Sequence, residues 1–178
     1  MLLVSLGYNS DNEGFTGNAW ETNVNVRAAQ KHLYDGLEDI DVSAAVTRDQ
    51  AAQMVWNAMN AYEVEYKTTI VTDENGQIST QVTVQDKVVA GTTDKITLLY
   101  DKYEALVNVG TLMTVDGKNL SITMSAADEA DSSNGTKDFT KLGADYSSLI
   151  GQKVKVVFKK SSEVLSVFAT NENTVVTV

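Results

Sequence analysis

The 178-residue chain contains no cysteine and no proline. Without cysteine it can form neither a disulfide nor a thiolate metal site, so packing and hydrogen bonds must hold the fold together. Proline commonly protects the edges of sheets, and its absence leaves that protection to lysine, to strand pairing or to closure of the sheet. His32 is the only histidine, which leaves a single candidate base for a nucleophilic triad.

Positive charge and long apolar runs are also scarce. The chain has 14 basic and 24 acidic side chains, a formal net charge of −10. Nucleic-acid binding needs a clustered basic face, so we expect no nucleic-acid partner. The apolar runs are far shorter than the roughly 20 residues of a membrane helix, so we expect no membrane insertion. The opening MLLVSL lacks the features of a signal peptide and is interpreted as the last turns of a helix in a longer protein.

The first third of the chain has helical periodicity. Asn18 and Glu21 have the spacing of a capping box, which predicts that a helix begins there. Apolar residues then recur at helical spacing over residues 20–33, and Gly36 suits the left-handed position just past a helix end.

A second capping box predicts another helix at Thr47. The Thr47 hydroxyl can accept from the helix start, Gln50 can return the bond, and Asp49 faces the positive end of the helix dipole. The expected core face holds Ala51, Val55, Met59 and Tyr62, with Ala52 and Trp56 beside it. Since both helices are short, we expect them to pack together.

From residue 62 onward the period changes to two, which is typical of strands. Asn75-Gly76 lies between β-branched runs and predicts a tight hairpin. KITLLY, residues 95–100, is interpreted as a further strand. Residues 63–103 are therefore predicted to form a β-hairpin or a ribbon linking two halves.

Residues 104–178 have an all-β pattern. Asp116-Gly117 predicts one hairpin, and residues 153–170 predict another with its turn near 160–162. Residues 125–138 are expected to form a polar loop, and TVVTV, residues 174–178, a last strand.

The predicted fold class is α+β with three parts. Residues 1–62 form a short helical region, residues 63–103 a hairpin or linker, and residues 104–178 a small all-β domain. About five short strands suggest a small barrel or sandwich, because closure removes exposed edges.

Catalytic and metal sites have weak candidates. NSDNEG, residues 9–14, resembles the first half of a calcium-binding EF-hand loop, but Trp20 stands at the twelfth position, where a bidentate Glu is required. His32 lies near a helix C-terminus, where a cation simply favours the dipole. Phosphate-binding and hydrolase motifs are lacking. We therefore expect a non-enzymatic chain with no catalytic residues, no metal and no cofactor.

Arg48 is not explained by the helix start alone. A cation in the first turn opposes the helix dipole. A planar guanidinium beside free helix N–H groups is suited to gripping a carboxylate in a bidentate way. A solvated surface arginine is the simpler alternative.

The segment 15–61 resembles an S-layer homology repeat. FTGNAWETNVNVRAAQKHLYDGL has an early Trp and a helix ending in Gly-Leu, and DVSAAVTRDQAAQMVWNAM has a Thr-Arg-acid motif opening an Ala-rich helix. MLLVSLGY resembles the final helix of a preceding repeat. The family motif usually reads Thr-Arg-Ala-Glu, and Asp49 and Gln50 replace its last two residues. LIGQKVKVVFKK resembles the small β modules that follow such repeats in Gram-positive surface-layer proteins.

The resemblance implies a secreted, non-catalytic protein of the bacterial cell surface. Its repeat would attach noncovalently to an anionic, often pyruvylated, secondary cell-wall polysaccharide, with Arg48 as the anion contact. Thr47 and Asp49 would be its neighbours, and Trp20 either a groove wall or part of the core. The β module would be structural, and other surface-layer subunits are possible partners.

Two alternatives stay open. The repeat is only structural, and the β module mediates lattice assembly or binds a partner or glycan. Otherwise, the chain anchors a wall-modifying enzyme whose active site lies outside these residues.

Overall fold

The computed structural model describes residues 1–37, 39–124 and 135–174. The chain divides into two compact units, Met1–Asp101, here called the N-terminal unit, and Lys102–Val178, the C-terminal unit. Short helices accompany a two-stranded and a five-stranded antiparallel sheet, which confirms the α+β class.

Four α-helices lie in the described residues. They are α1 (Leu2–Ser5), α2 (Trp20–Gln30), α3 (Arg48–Asn60) and α4 (Leu98–Tyr103). None of the helices in this part of the chain is long and apolar enough to span a membrane.

The helix predicted after residue 18 is present, but its predicted capping box is wrong. Helix α2 begins one residue later than expected, with Ala19 at the N-cap and no side-chain hydrogen bond to the helix start. Asn18 lies in the preceding turn. Because alanine has no acceptor in its side chain, the first N–H groups of α2 have no cap of the predicted kind.

The end of α2 also differs from the prediction, which assigned the left-handed cap to Gly36. His32 takes that position with φ 58°. The N–H of His32 donates to the carbonyl of Ala29 at 3.0 Å, and that of Leu33 to the carbonyl of Ala28 at 2.9 Å. This pair of bonds is a Schellman motif, which turns Leu33 back into the core. Gly36 has φ 77° in the next turn.

Helix α3 begins at the predicted capping box. Its predicted core face is partly wrong, because Val55 is 45% exposed and Tyr62 is 44% exposed. The buried residue is Ala58, on the side that shares a core with α1. The small side chain lets the two helices approach closely, and the bulkier Val55 is left outside.

One apolar cluster holds the N-terminal unit together. Its buried members are Leu3, Leu6, Tyr8, Ala28, Leu33, Ala58 and Val64. The cluster thus joins the first three helices to the strand that begins at Val64. At this junction the Val64 N–H donates to the Leu6 carbonyl at 2.7 Å. A side chain on Gly7, which has φ 101°, would lie 2.3 Å from the Val64 carbonyl oxygen, so the position requires glycine.

The predicted hairpin at Asn75-Gly76 is confirmed. Strand β1 (Val64–Thr72) pairs antiparallel with β2 (Ile78–Asp86). Gly76 has φ 76°, and the Asp73 N–H donates to the Gln77 carbonyl at 2.9 Å across the loop. We call this two-stranded sheet the ribbon.

The strand predicted over residues 95–100 is wrong in its second half. Lys95 and Thr97 each form an isolated bridge, and α4 begins at Leu98. The Thr97 hydroxyl accepts from the Tyr100 N–H at 3.2 Å and so acts as a helix start. Local capping here overrides the β-like composition of the segment.

The C-terminal unit is built on a sheet in the order β5-β4-β3-β6-β7. Its strands are β3 (Ala105–Asp116), β4 (Asn119–Met124), β5 (Gly135–Phe139), β6 (Lys153–Lys159) and β7 (Val164–Ala169). Both predicted hairpins are confirmed. The first has Gly117 and Lys118 as its turn, one residue later than predicted, and the second turns through Ser162 with φ 62°.

Two predictions, one of a loop and one of a strand, concern segments that lie mostly outside the described residues. The polar loop predicted over 125–138 lies mostly outside them, and its end is wrong because residues 135–138 belong to β5. The last strand predicted over 174–178 also lies outside them, apart from Thr174.

The core of the C-terminal unit lies on one face of this sheet. Its buried members are Leu112, Leu120, Ile122, Met124, Phe139, Leu142, Val154, Val156, Phe158, Val164 and Val167. Just beyond the ends of the two outer strands, the Thr140 N–H donates to the Ser162 carbonyl at 2.8 Å, and the Val164 N–H donates to the Thr140 carbonyl at 3.0 Å. The two outer strands therefore meet at one end of the sheet.

Candidate functional site

The start of α3 carries three of the predicted binding residues. Thr47 is extended, and its hydroxyl accepts from the Gln50 N–H at 3.2 Å. The Gln50 side chain accepts from the Thr47 N–H at 2.9 Å, which completes the predicted capping box. These reciprocal bonds fix the first turn, so the backbone at Arg48 and Asp49 has a defined orientation.

Arg48 and Asp49 are exposed on this turn. Within residues 1–37, 39–124 and 135–174, the Arg48 side chain has neither a hydrogen bond nor an ion pair. Asp41, a plausible partner by sequence distance, instead accepts from the Ser43 N–H at 2.9 Å and from its hydroxyl at 2.6 Å. These bonds hold the pKa of Asp41 below its usual value. The guanidinium therefore stays available to a ligand.

Trp20 lies elsewhere, at the start of α2. Its side chain is 51% exposed and forms part of an apolar pocket of about 390 Å³. Phe15 and Leu33 line this pocket with it, and α3 contributes Met54. The lining of this pocket does not include Thr47, Arg48 or Asp49. Trp20 thus lines an apolar pocket whose lining does not include the first turn of α3 that carries Arg48.

Sequence reasoning missed a polar pocket of about 460 Å³, which lies at the C-terminal ends of α2 and α3. Lys31 lies in its wall and donates to the Asp86 carboxylate at 2.7 Å and to the Tyr62 carbonyl at 3.0 Å. Burial acts to raise the pKa of Asp86, but hydrogen bonds from Lys31 and Lys95 outweigh it, and the pKa is lowered. No local motif signals this pocket, because Asp86 follows Lys31 by 55 residues.

The loop that resembles half an EF-hand has other partners. The Asn9 side-chain oxygen accepts from the N–H groups of Asp11 and Asn12, both at 3.0 Å. Glu13 pairs with the Arg27 guanidinium at 2.5 Å and accepts from the Tyr66 hydroxyl at 2.8 Å. Within the described residues, no cluster of three or more His, Asp or Glu side chains is placed to hold a metal ion. Asn9 and Glu13 are thus engaged by contacts within the N-terminal unit.

His32 lies on the rim of the polar pocket. Its Nδ1 is 3.3 Å from an Asp35 carboxylate oxygen, and both side chains are mostly exposed. No serine or threonine hydroxyl is recorded within hydrogen-bond distance of His32 among the described residues. Among the described residues, His32 is therefore not paired with a hydroxyl nucleophile.

Comparison with known proteins gave no match: no family model, no curated protein and no solved structure is significantly similar to the chain.

Proposed function

We propose that this chain is a non-catalytic piece of a bacterial cell-surface protein of the surface-layer type. Its residues 1–62 attach noncovalently to an anionic secondary cell-wall polysaccharide outside a Gram-positive cell, and its C-terminal unit is structural. The observation that carries the proposal is the exposed Arg48 guanidinium, which has no partner among the described residues and stands on the first turn of α3.

Two physical features of this turn support an acidic sugar as the ligand. The backbone N–H groups of Arg48 and Asp49 have no acceptor in the described residues, so they add to the positive end of the helix dipole. A guanidinium forms two parallel bonds to one carboxylate, as a pyruvyl group would present it. Asp49 beside it is suited to accept hydrogen bonds from sugar hydroxyls.

We also propose a shape for the C-terminal unit. The sheet closes into a small barrel, with the contact of Thr140 at the outer strands as the point of closure. Closure removes the free edges of β5 and β7, which a chain without proline does not otherwise block.

The test is co-sedimentation with purified cell wall. Arg48→Ala should reduce the retained fraction about ten-fold or more, since a bidentate charged contact is worth roughly 1.5–3 kcal/mol. Arg48→Lys, which keeps the charge and loses the planar fork, should fall between. Lys118→Ala is the matched control, because it removes one positive charge from an exposed turn of the other unit. Equal retention of Arg48→Ala and the unchanged protein would remove the anchoring role.

A second candidate function is that the repeat is purely structural and the C-terminal unit mediates surface-layer assembly or binds a partner or glycan. The exposed apolar side chains of this unit favour it, since Met113 and Leu165 are 50% and 45% exposed. In that case light scattering should show association without any sugar, and Arg48→Ala should leave it unchanged.

A further inference from the structure

The ribbon carries an apolar face that continues beyond the core. Even-numbered residues of β1 lie opposite even-numbered residues of β2, so they share one face. Near its base Val64 is buried and Val84 packs on the core of the N-terminal unit. Farther out Ile70 is 76% exposed, Ile78 is 75% exposed and Val82 is 50% exposed. The outer half of this face is therefore uncovered.

Both long edges of the ribbon are open as well. Apart from the pairing between its two strands, residues 65–72 and 78–85 make no backbone hydrogen bond to any other described segment. A hairpin of two strands is marginally stable by itself, and an open, flat edge is a template for another strand.

Charge distinguishes the two edges. Strand β1 carries Glu65 and Lys67, the kind of residue that blocks edge pairing, whereas residues 77–85 contain no charged side chain. The chain as a whole has a net charge of −10, so most of its surface repels a second copy. Along residues 77–85 of the β2 edge, two copies can approach without like charges directly opposite each other. A charged partner would find no counter-charge along it.

The sequence of β2 is also self-complementary when it runs antiparallel to itself. With a twofold axis at Gln81, the whole uncharged run 77–85 pairs with its copy. Ile78 then lies opposite Val84, and Thr80 lies opposite Val82, so the apolar face continues across the junction. A slip by one residue would place apolar residues opposite polar ones on the wrong face.

We propose that the β2 edge pairs with the same edge of a second copy of this chain, about a twofold axis at Gln81, to form a four-stranded sheet. The contact is one strand long and buries less than the roughly 800 Å² per partner of a standard stable interface. The association is therefore weak and depends on protein concentration. It does not depend on wall attachment, since Arg48 lies outside the ribbon.

Single cysteines test this register, because the 178-residue chain has no other cysteine. Gln81→Cys places two thiols directly opposite each other across the axis, with Cα atoms about 4.5–5.5 Å apart, within disulfide range. Thr69→Cys is the matched control, on the same rung and face of the ribbon but on β1. In the proposed sheet its two copies lie about 14 Å apart, three strand spacings, which a disulfide does not span.

Mild oxidation at high protein concentration should give covalent dimer for Gln81→Cys, at least ten-fold faster than for Thr69→Cys. Equal rates for the two variants, faster linking of Thr69→Cys or no linking of either would each overturn the proposal.

Sedimentation equilibrium supplies a second measurement that needs no cysteine. Gln81→Lys sets two ammonium groups against each other at the axis and should weaken association about ten-fold or more, whereas Thr69→Lys adds the same charge away from the contact. Association that both variants weaken equally would contradict the β2 edge. Wall retention of Gln81→Lys at low concentration should match the unchanged protein, which separates this proposal from the proposed anchoring.

Discussion

The two units of the chain are held together by different kinds of contact. The C-terminal unit has a continuous apolar core, in which Phe139 and Phe158 meet edge to face with ring centres 4.8 Å apart. The N-terminal unit spans more residues but has a smaller apolar cluster. Its segments are joined instead by ion pairs with shielded members. These pairs are Glu13–Arg27 at 2.5 Å, Lys31–Asp86 at 2.7 Å and Glu63–Lys87 at 2.8 Å.

This difference indicates where each unit is vulnerable. Apolar burial supplies most of the free energy of folding, so the C-terminal unit should be sensitive to cavities. A buried ion pair adds little net stability, yet removing one member leaves an uncompensated charge, so the N-terminal unit should be sensitive to broken pairs. In the C-terminal unit, the Lys141–Glu163 pair is more exposed than these three, since its lysine side chain is 71% exposed.

The largest effect is expected for Phe139→Ala. The side chain is fully buried, and its removal should lower the free energy of unfolding of the C-terminal unit by about 3–5 kcal/mol. Urea unfolding followed by circular dichroism measures the loss. Both tryptophans, Trp20 and Trp56, lie in the N-terminal unit, so their fluorescence reports on that unit alone.

Met113→Ala is the matched control on the same sheet, with a side chain that is 50% exposed, and should change the free energy by less than about 0.5 kcal/mol. If Phe139→Ala shifted the tryptophan transition as much as the circular dichroism transition, the two units would unfold as one, and their stabilities could not be compared separately.

Arg27→Met should have the next largest effect. It leaves the Glu13 carboxylate, whose side chain is 5% exposed, without its cation, at a cost of about 3 kcal/mol to the N-terminal unit. Tryptophan fluorescence during urea unfolding measures this. Adding Glu13→Gln to the variant should recover part of the loss, because the buried charge is then gone. Lys141→Met, which breaks an exposed pair of the C-terminal unit, should cost at most about 1 kcal/mol, measured by circular dichroism because the tryptophans do not report on that unit. Equal losses for Arg27→Met and Lys141→Met would contradict the contrast between the units.

Some features set by near neighbours were predictable from the sequence. The capping box at Thr47 and the hairpin at Asn75-Gly76 depend on residues within a few positions of each other, and both are present. The strand predicted at 95–100 shows the limit of such reasoning. Short runs of β-branched and apolar residues suit a strand or a helix, and the Thr97 cap decides for the helix.

Features set by distant partners were not predictable. Glu13 looked like a possible metal ligand, and its actual partners, Arg27 and Tyr66, follow it by 14 and 53 residues. The first turn of α3, which carries Arg48, is an intermediate case. The start of α3 could be predicted from Thr47. Whether Arg48 is left without an ion pair depends instead on whether nearby carboxylates bind other groups, as Asp41 binds Ser43.

The smallest effect compares two helix starts that look alike in the sequence. Thr47→Ala removes a hydroxyl that accepts from the Gln50 N–H at 3.2 Å, and should lower the free energy of unfolding of the N-terminal unit by about 1 kcal/mol. Asn18→Ala is the matched control. Its side chain makes no hydrogen bond to the start of α2, so it should cost less than about 0.5 kcal/mol. Tryptophan fluorescence follows both variants, because α2 and α3 each contain one tryptophan. If Asn18→Ala cost as much as Thr47→Ala, α2 would be capped in solution as the sequence predicted. The two helix starts would then be equivalent, and the N-terminal unit would differ from its sequence-based prediction only in its long-range contacts.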